Sequence, residues 1–255
     1  MQEVVSGIVG VEKLYYSKIT SDIPGGTPTF ATPVYLQGIK EIGIKVTINT
    51  EKLYAENKVW ESDTAFDSTE VTVNAVDLLN TENADLMGHK LAETGGIIYS
   101  EKDVAPDVAL LFKANKANGK SRYVILYNNK FTDSDETYKG KEGKTEFQTK
   151  SIVSTGAALK SNGMWKYVVD EEDGMTDEIF FNSVIIPTVM TYADVIYSSY
   201  SSGDVTDISV DGITFDSVSK TFKNVPSNTT SFTFKVGGTD VTATKSDSTW
   251  SFAEY

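Results

Sequence analysis

The stretch EIGIKVTIN, residues 41–49, alternates without a break: Ile42, Ile44, Val46 and Ile48 fall on one side, Glu41, Lys45, Thr47 and Asn49 on the other. A period of two is the signature of a pleated strand with one face buried. The stretch DSTEVTVNA, residues 67–75, repeats it, with Thr69, Val71, Val73 and Ala75 opposing Ser68, Glu70, Thr72 and Asn74. Working outward, Val108, Leu110 and Phe112 align within 107–114, and Tyr123–Tyr127 is apolar on both faces, as in a strand covered on both sides. Segments 146–153 and 165–169 read as two more strands. The fold class is mainly β.

Helical signals are sparse. Asp77 reads as a cap for a short helix with acids in its first turn (Glu82 and Asp85 follow) and Gly88 as its stop. A second helix is expected near Thr176, with Ile179, Phe180 and Val184 packed inward, although the β-branched run 184–186 argues against it. Two connections are long. Thr50–Phe66 (TEKLYAENKVWESDTAF) joins two clean strands yet far exceeds a hairpin turn, and it carries Leu53, Tyr54, Trp60 and Phe66 among polar residues. Loops of that length tend to be functional, and aromatics on them point to a partner surface or to a loop folded back on its own core. The connection over Thr132–Lys144 is more polar. Small polar residues at 198–204 read as a linker, which divides the chain into a β domain over 1–200 and a small β module over 204–255. In the module Phe232, Phe234 and Val236 alternate ahead of a Gly237-Gly238 turn, with Val241 and Ala243 after it.

Composition narrows the function. With 255 residues the chain can bury a sizeable core. It has no cysteine, so disulfide and thiolate–metal chemistry are excluded. The amino terminus lacks the basic and apolar regions of a signal peptide, and no run reaches the length of a membrane span, so no membrane anchor is expected. A net charge of −13 opposes binding to a phosphate backbone. It suits a solvated exterior, or a wall along which a polyanion passes without sticking.

Motifs that could carry catalysis or bind a ligand fail on spacing or context. Gly119-Lys120-Ser121 lacks the earlier glycine and the following helix of a phosphate loop, so Asn118-Gly119 reads as a hairpin turn. His89 is the only histidine, sits after a helix stop, and has no nucleophile elbow to serve; there it would relieve the terminal carbonyls. Asp170-Glu171-Glu172-Asp173-Gly174 departs from helix–loop–helix calcium spacing, leaving calcium or a solvated acidic turn as readings, and Asp133, Asp135 and Glu136 stand alike. No catalytic residue, cofactor or metal ligand is assigned, and the expectation is that the chain is not an enzyme.

Several ordered segments carry a resemblance: GVEKLYY (10–16), EKLYA (51–55), DLMGH (85–89), PDVALLF (106–112), NGKSRYV (118–124), EFQT (146–149), then Trp165 and VVDE (168–171). Together they resemble the major tail protein family of long, non-contractile-tailed bacteriophages. The resemblance implies a tail-tube-type β-sandwich or barrel with one flanking helix and a long inter-strand arm, here Thr50–Phe66. It implies hexameric rings stacked into a tube through which DNA is ejected into the bacterial host, and a place in the virion tail after assembly in the host cytoplasm. Partners would be other copies of the chain and other tail proteins (tape measure, tail terminator, distal tail), with DNA passing through without sequence-specific binding. The last fifty residues fall outside the match and resemble the small immunoglobulin-like or cadherin-like β-sandwich modules appended to phage tail proteins, on DISVDGITF (207–215) and KTF (220–222). In such a tube Leu53, Tyr54, Trp60 and Phe66 become the inter-subunit arm. Glu41, Lys45, Thr47, Asn49, Glu70, Thr72 and Asn74 become the candidate lumen-facing residues, with the outer solvent as the competing place for that face. Two other readings stay open: a tube from a phage-derived bacteriocin or injection device, and a surface adhesin whose terminal module binds glycan.

Overall fold

The computed structural model describes residues 5–133, 136–138, 140, 147–197, 199–247 and 249–254. Asp135, Glu146, Ser198 and most of the polar connection 132–144 therefore lie outside the described residues. The chain divides into two compact units, Met1–Ile186 and Pro187–Tyr255.

The first unit runs β1 (Ile8–Ser21), β2 (Thr29–Phe30), β3 (Val34–Leu36), β4 (Ile39–Ala55), β5 (Lys58–Ala75), α1 (Asn80–Met87), β6 (Lys90–Leu91), β7 (Ile97–Ile98), β8 (Asp107–Lys116), β9 (Ser121–Thr132), β10 (Lys150–Ala157) and β11 (Lys166–Asp170), then one 3-10 turn (Glu171–Asp173) and α2 (Asp177–Phe180). Nine strands form one antiparallel sheet in the order β2-β1-β8-β9-β10-β5-β4, with β3 added to β1 and β11 to β9. The sheet curls over a core of Leu14, Val71, Val73, Leu110, Leu126 and Ile152, capped by Leu86 and Met87 of α1. The alternation in 41–49 and 67–75 accounts for this: Ile42 pairs with Val73 and Ile44 with Val71, and all four turn toward the core. Val46 and Ile48, expected with them, stay exposed: Val46 lies on the edge strand opposite Thr69, the last β5 residue that β10 pairs, and Ile48 opposite Phe66 is already beyond it. Each large apolar side chain that does go inside contributes about 1.5–3 kcal/mol.

β9 is the doubly covered strand anticipated over 123–127. Val124 and Leu126 enter the first core, while Tyr123, Ile125 and Tyr127 face a second one. That second core is closed by Leu159, Val169 and Phe180, with Val184 packed against it. α2 is a single turn capped by Thr176, whose Oγ1 accepts from the Ile179 N–H at 3.4 Å. Phe180 points inward as expected, but Ile179 is exposed, since one turn of helix presents only one inward position. α1 begins later than the Asp77 reading: Asp77 accepts from Leu78 N–H ahead of the helix, and Glu82 instead takes the Leu79 N–H at 3.0 Å. Gly88 ends α1 at φ 77°, and a Cβ there would sit 2.1 Å from the Val104 carbonyl oxygen. That position admits only glycine.

The expectation of a long loop over Thr50–Phe66 is corrected. β4 and β5 continue through it as a paired ribbon, from Ile48 opposite Phe66 to Ala55 opposite Lys58. The chain reverses at Glu56 and Asn57, both at positive φ (51° and 62°), as a two-residue hairpin of primed type requires. Its strand character was hidden because neither face is buried, so no apolar alternation marks it.

The second unit runs β12 (Tyr192–Ile196), β13 (Val205–Thr206), β14 (Thr214–Asp216), β15 (Thr221–Pro226), β16 (Ser231–Val236), β17 (Thr239–Ser246) and β18 (Thr249–Glu254). These make a three-stranded sheet β12-β15-β14 and a four-stranded sheet β13-β16-β17-β18. They enclose an aromatic core of Tyr197, Phe222, Phe232 and Phe234 with Val241 and Ala243. This is a small β-sandwich of seven strands, a count and division shared with immunoglobulin constant-type domains. The linker read at 198–204 is corrected: β12 precedes it and pairs with β15, and Tyr197 and Tyr200 are core residues of the second unit. Polar neighbours masked them, but the Tyr200 hydroxyl finds its acceptor at the Gly203 carbonyl, 2.7 Å away.

A chain ended after Ile186 should therefore stay soluble, bind no hydrophobic dye beyond the parent level and unfold in a single cooperative thermal transition. A chain ended after Ser202 keeps Val195, Tyr197 and Tyr200 without their cover and should bind a hydrophobic dye and aggregate. Equal dye binding by the two truncations would contradict the boundary at 186.

Candidate assembly surfaces

The β4–β5 ribbon leaves the body as an arm whose end is uncovered on both faces. Leu53, Tyr54, Val59 and Trp60 are 59%, 64%, 49% and 70% exposed. Tyr54 pairs across the ribbon with Val59, whereas Leu53 pairs with Glu61, so Trp60 is the extra residue of a bulge. A bulge re-aims its side chain and raises the local twist. Among the described residues nothing buries these four large apolar groups at the end of the narrow ribbon. Phe66 differs from the other arm residues. It is half-buried and stacks on Trp165 of its own chain, ring centroids 4.9 Å apart and planes 13° apart, so it anchors the root of the arm.

The second surface is a polar sheet face. The register sets Glu41 opposite Asn74, Lys45 opposite Glu70, and Gly43 opposite Thr72. Directly paired residues share a face, so Glu41, Lys45, Thr47, Asn49, Glu70, Thr72 and Asn74 all lie on one side, opposite the core. Asn74 donates to Glu41 at 3.1 Å, and Asn49 donates to the bulged Asp67 at 3.0 Å. The face extends beyond those residues. Thr155 of β10 pairs with Glu70 on one side and Lys130 of β9 on the other, and Lys130 pairs with Asp107 of β8. One row thus crosses five strands as Lys45, Glu70, Thr155, Lys130 and Asp107, with a Lys130–Asp107 ion pair of 3.1 Å at its end. Sequence reading missed Lys130, Thr155 and Asp107. Only strand order brings them beside Glu70, and the alternation within each strand was the sole available signal.

A family model described as phage tail tube protein matches residues 36–190, more than half of the chain. This chain belongs to that family. It is a structural component of a phage tail, and the matched region takes in the arm, the polar face and all but the first strands of the first unit. No curated protein matches the chain at a significant level.

The motifs that hinted at chemistry have structural work in this tail tube protein. Asn118-Gly119 is the β8–β9 turn, with Gly119 at φ 80° and the Lys120 N–H donating to Asn118 Oδ1. The acidic turn at 170–174 is neither a loose solvated turn nor a gathering of carboxylates on one point. Asp170 takes a two-pronged contact from Arg122 at 2.7 and 2.8 Å and another from Lys116 at 2.8 Å. Glu171 meets Lys120 and Glu172 meets Lys116. The Arg122 and Lys116 cations hold the Asp170 carboxyl well below the usual carboxylate range. Among the described residues no three His, Asp or Glu side chains converge as a metal site.

His89 also departs from its sequence reading. Its partners are carboxylates instead of helix carbonyls: Nδ1 lies 2.8 Å from Asp103 and Nε2 3.0 Å from Asp133, with Tyr99 packed on the ring. Burial opposes the charged form, but the hydrogen bonds and charges of Asp103 and Asp133 outweigh it and raise the imidazole above its ordinary 6.5. A folded pKa above the unfolded one adds stability that is complete below 6.5 and is lost as pH rises through the higher folded value. His89→Gln should therefore lower the melting temperature most below the ordinary imidazole pKa of 6.5, with the difference from the parent shrinking as pH rises through the raised folded value. A difference independent of pH would show that His89 acts only by packing.

Proposed function

We propose that this chain is the major tail tube subunit: six copies close into a ring, rings stack into a tube, and the tube encloses the channel for DNA ejection. The observation that carries this reading is the five-strand polar face set back to back with a buried apolar one. A sheet that curls around its own core on one side and leaves a polar row uncovered on the other, beyond the second core on β8 and β9, can line an aqueous bore once copies of it are joined in a ring. Joining copies also removes the exposed strand edges that would otherwise aggregate.

The charge pattern of that face supports a DNA conduit. Glu41, Glu70 and Asp107 stand against Lys45 and Lys130, three acids to two lysines, with Thr47, Asn49, Thr72, Asn74 and Thr155 between them. No run of lysines is present to gain affinity by releasing counterions, so phosphate passes without being held. Copies of the chain, the other tail proteins and transient DNA are the partners this function requires. The second unit is an outer decoration under this reading.

Two experiments test it. Tyr54→Ala with Trp60→Ala should yield folded protein with an unchanged melting temperature that no longer forms tubes by electron microscopy, since both side chains are solvent-exposed in the single chain. Aromatic anchors of this kind contribute about 2 kcal/mol or more when buried at an interface. Tubes of normal length at the parent concentration would remove the arm from the joint. For the channel, Glu70→Lys with Thr72→Lys should leave assembly intact and slow DNA ejection, more at low salt than at high salt. Unchanged ejection at low salt, or lysines accessible to a bulky reagent outside intact tubes, would place the face on the exterior.

A further inference from the structure

The arm end needs a receptor, and one surface of the first unit matches it. At the end of the curled sheet away from α1, a groove of about 460 Å³ opens over Val11, Ile42, Ile44 and Val168. Its rim carries Lys40 and Lys166, neither of which has a carboxylate partner among the described residues, and one acid, Glu41, which accepts from Asn74 at 3.1 Å. Arg122 also borders it, but its charge is taken by Asp170. The arm complements this on both counts. Its end is apolar through Leu53, Tyr54, Val59 and Trp60, and residues 51–63 hold four acids (Glu51, Glu56, Glu61, Asp63) against two lysines.

The geometry points to this groove as the receptor for the arm end of a second copy of the chain, an inference that rests on the tube reading. The groove's own arm cannot fill it. Ile44 lines the groove and Tyr54 lies ten residues further along the same extended strand, about 33 Å away at a strand's rise per residue. Knob and groove are different surfaces of one chain, so their contact is head-to-tail and links each copy to the next, around a ring or from one ring to another, instead of ending at a dimer. An isologous arm-to-arm contact would stop at a dimer and would bring like-charged acidic ends together.

The natural chain has no cysteine, which makes the contact directly testable. A chain carrying Trp60→Cys and Val168→Cys should give a ladder of disulfide-linked dimers, trimers and higher species when assembled tubes are oxidised. Trp60→Cys alone should give none. Tubes that assemble without the ladder overturn the groove as receptor, and so does a dimer from Trp60→Cys alone, while both leave the tube reading standing. A ladder from Trp60→Cys with Leu91→Cys, at an exposed site on β6, in place of the Val168 pair would assign the receptor elsewhere and likewise overturn it. Failure of the parent chain to form tubes would remove both readings. If the double-cysteine chain does not assemble, charge exchange decides. Lys40→Glu with Lys166→Glu should raise the concentration needed for polymerisation several-fold, and adding Glu56→Lys with Glu61→Lys to that chain should restore it. Lack of rescue overturns the pairing.

Discussion

The pairing of Ile42 with Val73 and Ile44 with Val71 is the contact on which the first unit depends. It commits one face of β4 and β5 to the core, and because side chains alternate with period two, it commits Glu41, Lys45, Glu70, Thr72 and Asn74 to the other. A slip of one residue would bury that charged row and expose the valines. The apolar and polar faces of the sheet are consequently a single choice. Strand order then enlarges it, because β10, β9 and β8 join on the same side and carry Thr155, Lys130 and Asp107 into line.

The same two strands also produce the arm. β4 and β5 are 17 and 18 residues long, and only part of that length has a body to pack against. Beyond it the ribbon is held by its own ladder, by the Phe66–Trp165 stack at its root and by the reversal at Glu56 and Asn57. A two-stranded ribbon is marginal by itself in water. Exposed Tyr54, Val59 and Trp60 at its end are costly in a lone chain and favourable in an assembly. In the proposed tube that asymmetry is what drives association.

Ionic groups elsewhere serve the scaffold. Asp170 is bound by Arg122 and Lys116, which ties β11 and the turn after it to the β8–β9 hairpin. His89 bridges Asp103 and Asp133 across segments distant in the chain. These clusters account for the residues that most resembled catalytic or metal-binding motifs in the sequence. The small second unit relies on rings instead, with Tyr197 lying 4.5 Å from Phe252 and Phe222 lying 4.6 Å from Phe234.

Local pattern and turn chemistry by themselves determined the mainly β class, the strands at 41–49 and 67–75, the doubly covered strand at 123–127, the turn at Asn118-Gly119 and the helix stop at Gly88. Each of these rests on a local rule: a buried face leaves a period of two, and a left-handed backbone demands glycine. Tertiary structure decided what no local rule could reach. The arm is a ribbon though its sequence has no strand pattern, because a pattern appears only where one face is buried. Residues 192–200 belong to the second unit because β12 finds its partner in β15, some thirty residues later. Lys130, Thr155 and Asp107 join Glu70 in one row because sheet order, set by long-range packing, is not written in the spacing of any single strand.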